Sequence, residues 1–165
     1  MATESSPAAS SPAASRPAAL PTTRHVTAAS PDAVWAVLAD GWTYPCWVVG
    51  AARMRSVSAD WPAVGAVLNH SVGPWPTMID DQTVVRRCEP TRLLVLRGKA
   101  WPMGEAEIVI ELAPADAGGC EIVLREDAVA GPGTLLPSVV RDPLIRMRNA
   151  ESLQRLALMA ERRAA

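Results

Sequence analysis

Two ionisable side chains stand two residues away from a leucine in predicted strands. They are therefore expected on the same face of the strand as the leucine, where they could take part in chemistry. His70 has the same parity as Leu68 in the stretch AVLNHSV. Glu126 has the same parity as Leu124 in the stretch CEIVLRED. Because successive side chains of a strand point to opposite faces, a strand that buries its leucine also turns its histidine or glutamate inward. An inward histidine can move a proton near neutral pH, donate a hydrogen bond to a ligand carbonyl, or serve only as a hydrogen-bonded core residue.

An inward Glu126 requires a partner, because an unpaired carboxylate is costly to bury. The candidates are His70, an arginine such as Arg148, or water; if the strand ends before Glu126, the side chain is solvated instead. In a catalytic site, His70 would be the acid or base, and Glu126 or an arginine would set its charge. The adjacent residues Asp80 and Asp81 do not predict an acid–base pair, because neighbouring strand residues point to opposite faces.

The aromatic residues are six tryptophans and one tyrosine, without phenylalanine. Trp35 lies on the apolar stripe of a predicted helix and is expected to fill the core. Trp42 and Trp47 lie on either side of a proline in an irregular connection, where their rings would frame the entrance of a binding site. Trp75 in GPWP and Trp101 in AWPMG occupy turns between predicted strands. Each of these two rings either covers a cavity or folds onto the outside of the sheet.

Composition favours a single domain and excludes several classes of protein. The 165 residues carry a net charge of −1 with a pI near 6.1, so no global field attracts nucleic acid. The three cysteines are far apart and no histidine stands at metal-ligand spacing, so neither a disulfide framework nor a metal site is predicted. No stretch is apolar enough to span a membrane, and no secretory signal pattern is visible, so a cytoplasmic location is expected. Hydrolase, nucleotide-binding and zinc-protease motifs do not occur either, and no cofactor is predicted.

The order of elements follows from changes in the period of the apolar residues. Residues 1–20 are almost all Ala, Ser and Pro, which predicts a disordered tail before a folded domain at 21–165. A strand in TTRHVTAA precedes a helix capped by Ser30 and a turn or short second helix in WTYPCW. Alternation of period two then predicts six further strands, in RMRSVS, AVLNHSV, DQTVVRRCE, RLLVLRGKA, EAEIVIEL and CEIVLRED.

A long final helix completes the predicted architecture. Asp142 and Pro143 mark its start as the N-cap and the first helical residue. Asn149 and Ser152 lie on its mostly apolar face, where they would bind a ligand or bond back to their own backbone. The sheet must bury one face, and this helix is the only large element left to cover it. A curved sheet around one helix leaves a hollow in which a ligand would bind.

The stretches SPDAVWAVLAD, CEPTRLLVL, GEAEIVIEL and RNAESLQRLA occur in an order that resembles the START/polyketide-cyclase superfamily, often called SRPBCC. The resemblance covers residues 22–163. It implies an α+β helix-grip fold, in which a curved antiparallel sheet of about seven strands wraps around a long C-terminal helix, with two short helices after the first strand.

Three hypotheses about function follow. The leading one is the binding of a small hydrophobic or aromatic molecule, lipids included, without stable insertion in a membrane. The residues predicted to bind this molecule are Trp42, Trp47, His70, Trp75, Trp101, Glu126, Asn149 and Ser152. The second is a cofactor-independent enzyme resembling polyketide cyclases or dehydratases, with His70 and Glu126 as its catalytic residues. The third is a partner-binding module without a ligand.

Overall fold

The chain forms seven β-strands and three α-helices within the residues that the structure, a computed structural model, describes: 21–99, 104–116, 118–131, 135 and 137–164. The strands are β1 Thr22–Thr27, β2 Ala51–Val57, β3 Val67–Val72, β4 Ile79–Glu89, β5 Leu93–Lys99, β6 Glu105–Pro114 and β7 Cys120–Ala130. The α-helices are α1 Pro31–Leu38, α2 Tyr44–Trp47 and α3 Ser138–Ala164, with a 3-10 turn at Gly41–Thr43. The predicted tail and Trp101 lie outside the described residues.

All seven strands belong to one antiparallel sheet in the order β1-β7-β6-β5-β4-β3-β2. Strands β2 to β7 form a meander of neighbours, and β1 joins its end by pairing with β7, where Thr23 lies opposite Leu124. The curved open sheet and the C-terminal helix confirm the predicted α+β helix-grip architecture. Each strand overlaps one of the stretches that alternate with period two, because one face of each strand lines the core.

Helix α1 begins where the sequence predicts. The hydroxyl of Ser30 accepts a hydrogen bond from the N–H of Ala33 at 3.2 Å, and a proline occupies the first helical position. This cap satisfies one of the backbone donors that every helix leaves free at its start. The buried face of α1 carries Val34, Val37 and Leu38.

The core lies between the concave face of the sheet and α3. Helix α3 packs against β1, β7, α1 and α2. Its fully buried residues include Leu153 and Leu156, which join Leu68, Leu94, Leu96, Ile110 and Ile122 from the sheet. Full burial of one such side chain contributes about 1.5–3 kcal/mol relative to its exposure.

The predicted start of the final helix is wrong. The helix begins at Ser138 rather than at Asp142, so Pro143 lies inside it. Pro143 is the sixth residue of α3, beyond the first four residues, whose N–H groups have no partner inside a helix, so it removes one internal hydrogen bond. An acidic residue before a proline therefore does not by itself mark the start of a helix.

Candidate functional site

A cavity of about 610 Å³ lies on the concave side of the sheet. Its wall is built by α2 and the loop after it, by inward positions of β3 to β7, and by one residue of α3. The side chains that line it include Tyr44, Val48, Val72, Ile79, Ala106, Ile108, Glu126, His70, Asp81, Thr83 and Arg148. This lining combines aliphatic surface with a few polar groups, as is typical of small-molecule sites.

The cavity exists because small residues meet across three neighbouring strands. Thr83 of β4 lies opposite Gly98 of β5, and Gly98 lies opposite Ala106 of β6. At Gly98 an added Cβ would lie 3.3 Å from the hydroxyl oxygen of Thr83, so even one methyl group would crowd this row. Because large side chains are missing from adjacent inward positions, α3 and the sheet do not close on each other here.

Three polar side chains form a hydrogen-bonded series on the cavity wall. The hydroxyl oxygen of Thr83 lies 3.0 Å from Nε2 of His70 and 3.4 Å from the hydroxyl oxygen of Tyr44. The rings of Tyr44 and His70 are also in contact, with centroids 5.0 Å apart. Burial raises the pKa of Tyr44 to about 12, so its hydroxyl keeps its proton at neutral pH. The hydrogen bond with Thr83 and the ring of Tyr44 together orient the imidazole of His70.

His70 is buried, with 3% of its surface exposed. Burial, and to a smaller extent the positive charge of Arg55, lower its pKa to about 4. Arg55 holds the strand pair behind the histidine, because its guanidinium donates hydrogen bonds to the backbone carbonyls of His70 and Asp81. The imidazole is therefore neutral at pH 7, and within the described part of the chain its Nδ1 has no hydrogen-bond partner.

Glu126 is buried and paired with an arginine from the facing helix. Its carboxylate accepts a hydrogen bond from the guanidinium of Arg148, which also donates to the amide oxygen of Asn149 at 3.3 Å. The side chain of Arg148 is 41% exposed, so its charge keeps contact with solvent while it reaches the buried carboxylate. Of the three partners that the sequence offered for Glu126, the structure selects Arg148.

A narrow inner hollow of about 20 Å³ shares this arginine with the main cavity. Trp47, Asn149 and Ser152 line it, and Trp47 packs edge-on against Tyr44 with ring centroids 5.5 Å apart. The hydroxyl of Ser152 accepts a hydrogen bond from the N–H of Val49 at 3.1 Å, which fastens the loop after α2 to α3. Among the described residues, Nδ2 of buried Asn149 has no partner. The structure thus brings these three predicted residues together at the inner end of the site.

Trp42 and Trp75, two further tryptophans of the predicted set, lie elsewhere. Trp42 is 59% exposed and Trp75 is 82% exposed, and neither is among the described residues that line the cavity. Two neighbours of Trp75, Pro74 and Thr77, do line it, so this loop lies at the rim. Trp35 is half-buried and packs against the core.

Sequence reasoning missed several residues of the wall. Asp81 is 4% exposed and lines the cavity, whereas its neighbour Asp80 is exposed, as the alternation along a strand requires. Tyr44, the only tyrosine, and Thr83 were not among the predicted site residues. Asp81 and Thr83 alternate with Val85 in the stretch DQTVV, and this pattern could have predicted that all three point to the same face of the strand.

Other kinds of site find no support in the described residues. They contain no group of three or more His, Cys, Asp or Glu side chains placed to hold a metal ion. The three cysteines are free thiols. No helix in the described ranges has the length and apolar character needed to cross a membrane.

The fold and the cavity together define an α+β helix-grip protein with a partly open hollow on the concave side of its sheet. The chain belongs to the family described as polyketide cyclase / dehydrase and lipid transport, whose sequence model matches residues 18–161. This match agrees with the resemblance to the SRPBCC superfamily. Among curated proteins, none matches the sequence.

Solved structures with the same fold come from several sources. SA2116, a protein of unknown function from Staphylococcus aureus, has a TM-score of 0.68 at 10% identity, covering 87% of this chain and 93% of its own. The di-domain ARO/CYC StfQ from the steffimycin biosynthetic pathway has a TM-score of 0.67 at 16% identity, covering 87% of this chain and 50% of its own. A protein from Rhodobacter sphaeroides has a TM-score of 0.64 at 23% identity, and the match covers 82% of the present chain and 88% of the Rhodobacter chain. At these identities the likeness concerns the fold alone.

Proposed function

We propose that the protein binds a small hydrophobic or aromatic molecule in the cavity between the sheet and α3. The observation that carries this proposal is the partly open cavity of about 610 Å³, which borders the packed core. Protein interiors are close-packed, and voids far larger than a water molecule are few. A hollow of this size falls within the range of ligand sites, which run from roughly 300 to 1,000 Å³.

In this proposal, aliphatic side chains such as Val48, Ile79 and Ile108 contact the body of the ligand. His70 and the pair of Glu126 and Arg148 orient its polar groups. Trp47, Asn149 and Ser152 bound the inner end of the site. Nδ2 of Asn149, which has no partner among the described residues, donates to an oxygen of the ligand or to a water molecule. Trp42 and Trp75 are left outside the proposed site.

The comparisons support this class of ligand without identifying it. The family description names both polyketide cyclases and lipid transport, and StfQ is named for a biosynthetic pathway. Polyketides and lipids are apolar or aromatic molecules, in keeping with the lining of the cavity. A partner-binding module without a ligand is expected to fill its cavity with its own side chains, so the open cavity favours ligand binding over that hypothesis.

The proposal is tested by filling the cavity. Ala106→Phe places a ring into the hollow from β6, and Ala113→Phe adds the same ring to an exposed position of the same strand. With 2-methoxynaphthalene as an apolar probe in isothermal titration calorimetry, we expect wild-type binding, a loss of about tenfold or more in Ala106→Phe, and little change in Ala113→Phe. Equal affinities of the two variants, or no binding by the wild type, would contradict the proposal.

A second candidate is a cyclase or dehydratase, and the hydrogen-bonded series of Tyr44, Thr83 and His70 favours it. A neutral imidazole inside an apolar cavity can accept a proton from a bound poly-carbonyl substrate, although its low pKa makes it a weak base. An enzyme of this kind would lose turnover by about a hundredfold or more in His70→Ala while still binding. A carrier would change only in affinity.

A further inference from the structure

Asp81 is a buried carboxyl group on the wall of the proposed site, and none of the functions above uses it. It lies directly opposite His70 in the pairing of β3 with β4, so both side chains project from the same face of the sheet. The residue is 4% exposed and lines the cavity of about 610 Å³. Its position on the inner face is a consequence of strand alternation, which sends Asp80 outward.

The hydrogen bonds of Asp81 are incomplete. Its Oδ1 accepts the backbone N–H of Gln82 at 2.6 Å, and among the described residues no other donor reaches either carboxyl oxygen. An ionised carboxylate offers about four acceptor sites. Glu126, the other buried carboxylate of the cavity, is paired with Arg148, whereas Asp81 forms no ion pair within the described part of the chain. Neither oxygen of Asp81 is among the fully buried atoms without a partner, so the free acceptor sites are open to a donor in the cavity, either water or a group of the bound molecule.

The surroundings of Asp81 indicate what kind of donor fits. Burial raises the pKa of Asp81, and the charges of Lys99 and Arg55 oppose that shift. Lys99 also lines the cavity, so a cationic ligand group at Asp81 would meet a positive charge close by. A neutral hydroxyl group supplies the donor without this repulsion.

We propose that Asp81 is a specificity-determining residue, which accepts a hydrogen bond from a phenolic or enolic hydroxyl group of the bound molecule. This inference rests on the proposed function, since it concerns the same cavity. It narrows the ligand class from hydrophobic molecules in general to neutral, hydroxyl-bearing aromatic ones. Asp81 acts here in binding and performs no chemical step.

Two probes with the same ring system test this inference. 2-Naphthol carries the hydroxyl donor, and 2-methoxynaphthalene replaces the hydrogen with a methyl group. In calorimetric titrations at neutral pH, we expect wild-type protein to prefer 2-naphthol by about tenfold or more, as hydrogen bonds to charged groups warrant. Without that bond the methyl ether, which has more apolar surface, would bind at least as tightly.

Asp81→Asn and Asp81→Leu are expected to reduce the preference to about threefold or less while 2-methoxynaphthalene still binds. Asp80→Asn, which changes the exposed neighbouring carboxylate, is the matched control and should keep the wild-type preference. An unchanged ratio of affinities in both Asp81 variants would overturn the inference and leave the proposed function intact. Failure of both probes to bind wild-type protein would instead overturn the proposed function, and the inference with it.

Discussion

At the scale of single residues, His70 shows how the fold sets the state of a titratable group. The imidazole is removed from water by the sheet and by the ring of Tyr44, and Arg55 lies behind it on the neighbouring strand. Both effects disfavour the protonated form, and they lower the pKa to about 4. His70 is therefore a neutral hydrogen-bonding group at pH 7, whichever of the proposed functions holds.

The low pKa of His70 predicts a loss of stability in mild acid. In the unfolded chain His70 binds a proton below about pH 6.5, whereas in the folded protein it binds one only near pH 4. The unfolded state therefore binds more protons between these values, and the free energy of unfolding falls as the pH is lowered from 6.5 to 4. The contribution is at most about 3.5 kcal/mol, because a shift of one pKa unit corresponds to about 1.4 kcal/mol.

Urea denaturation at a series of pH values measures this effect, and His70→Gln isolates it. The variant should be less sensitive to pH between 6.5 and 4 than the wild type. Burial raises the pKa of Asp81, which acts in the opposite direction above pH 3.8, but Asp81 is present in both proteins. Parallel pH profiles of wild type and variant would show that His70 titrates normally in the folded state.

At the scale of elements, α3 is fastened to the rest of the molecule at both ends of its buried face. Glu161 accepts a hydrogen bond from the hydroxyl of Thr27 at 2.6 Å, and Arg163 pairs with Asp40 at 2.7 Å. Nearer its start, Arg148 pairs with Glu126 of β7. Between these attachments the helix packs on the core through Leu153 and Leu156.

The pair of Arg148 and Glu126 is expected to stabilise the cavity end of α3. Arg148→Met leaves the buried carboxylate of Glu126 without its cation and should lower the free energy of unfolding by about 1–3 kcal/mol. Arg155→Met is the matched control, since Arg155 pairs with Glu151 on the exposed side of the same helix and should cost less than about 0.5 kcal/mol. Similar losses in the two variants, measured by urea denaturation, would contradict a special role for the buried pair.

The strands could be predicted from sequence, because period two is a local signal that each strand carries by itself. The inward positions of His70 and Glu126 follow from that same alternation. The row of Thr83, Gly98 and Ala106 could not be predicted, because it depends on which residues lie opposite each other across three strands. Sequence alternation gives the face of a residue, whereas the register that creates the cavity is a property of the assembled sheet.

The start of α3 shows a second limit. An acidic residue before a proline is a common helix start, but Pro143 is the sixth residue of α3, beyond the four residues whose backbone donors are free. Local sequence cannot distinguish the two situations around Pro143. The exposed position of Trp42 has a similar origin, since nothing in the stretch WTYPCW shows which of its rings turns inward.

At the scale of the whole molecule, the described residues form one antiparallel sheet, one long helix and two short helices around a hydrophobic core, with the cavity beside it. The net charge of −1 provides no global field that would attract a polyanion. We propose that recognition depends on the cavity. The central claim is that this cavity holds a small apolar molecule.

The most direct test is to compare native and denaturing mass spectra of the protein freshly purified from its own host. We expect the native mass to exceed that of the chain by a small molecule that is released on denaturation, and we expect this excess to be lost in Ala106→Phe but kept in Ala113→Phe. A native mass equal to that of the bare chain, together with no binding of added naphthalene probes, would contradict the account.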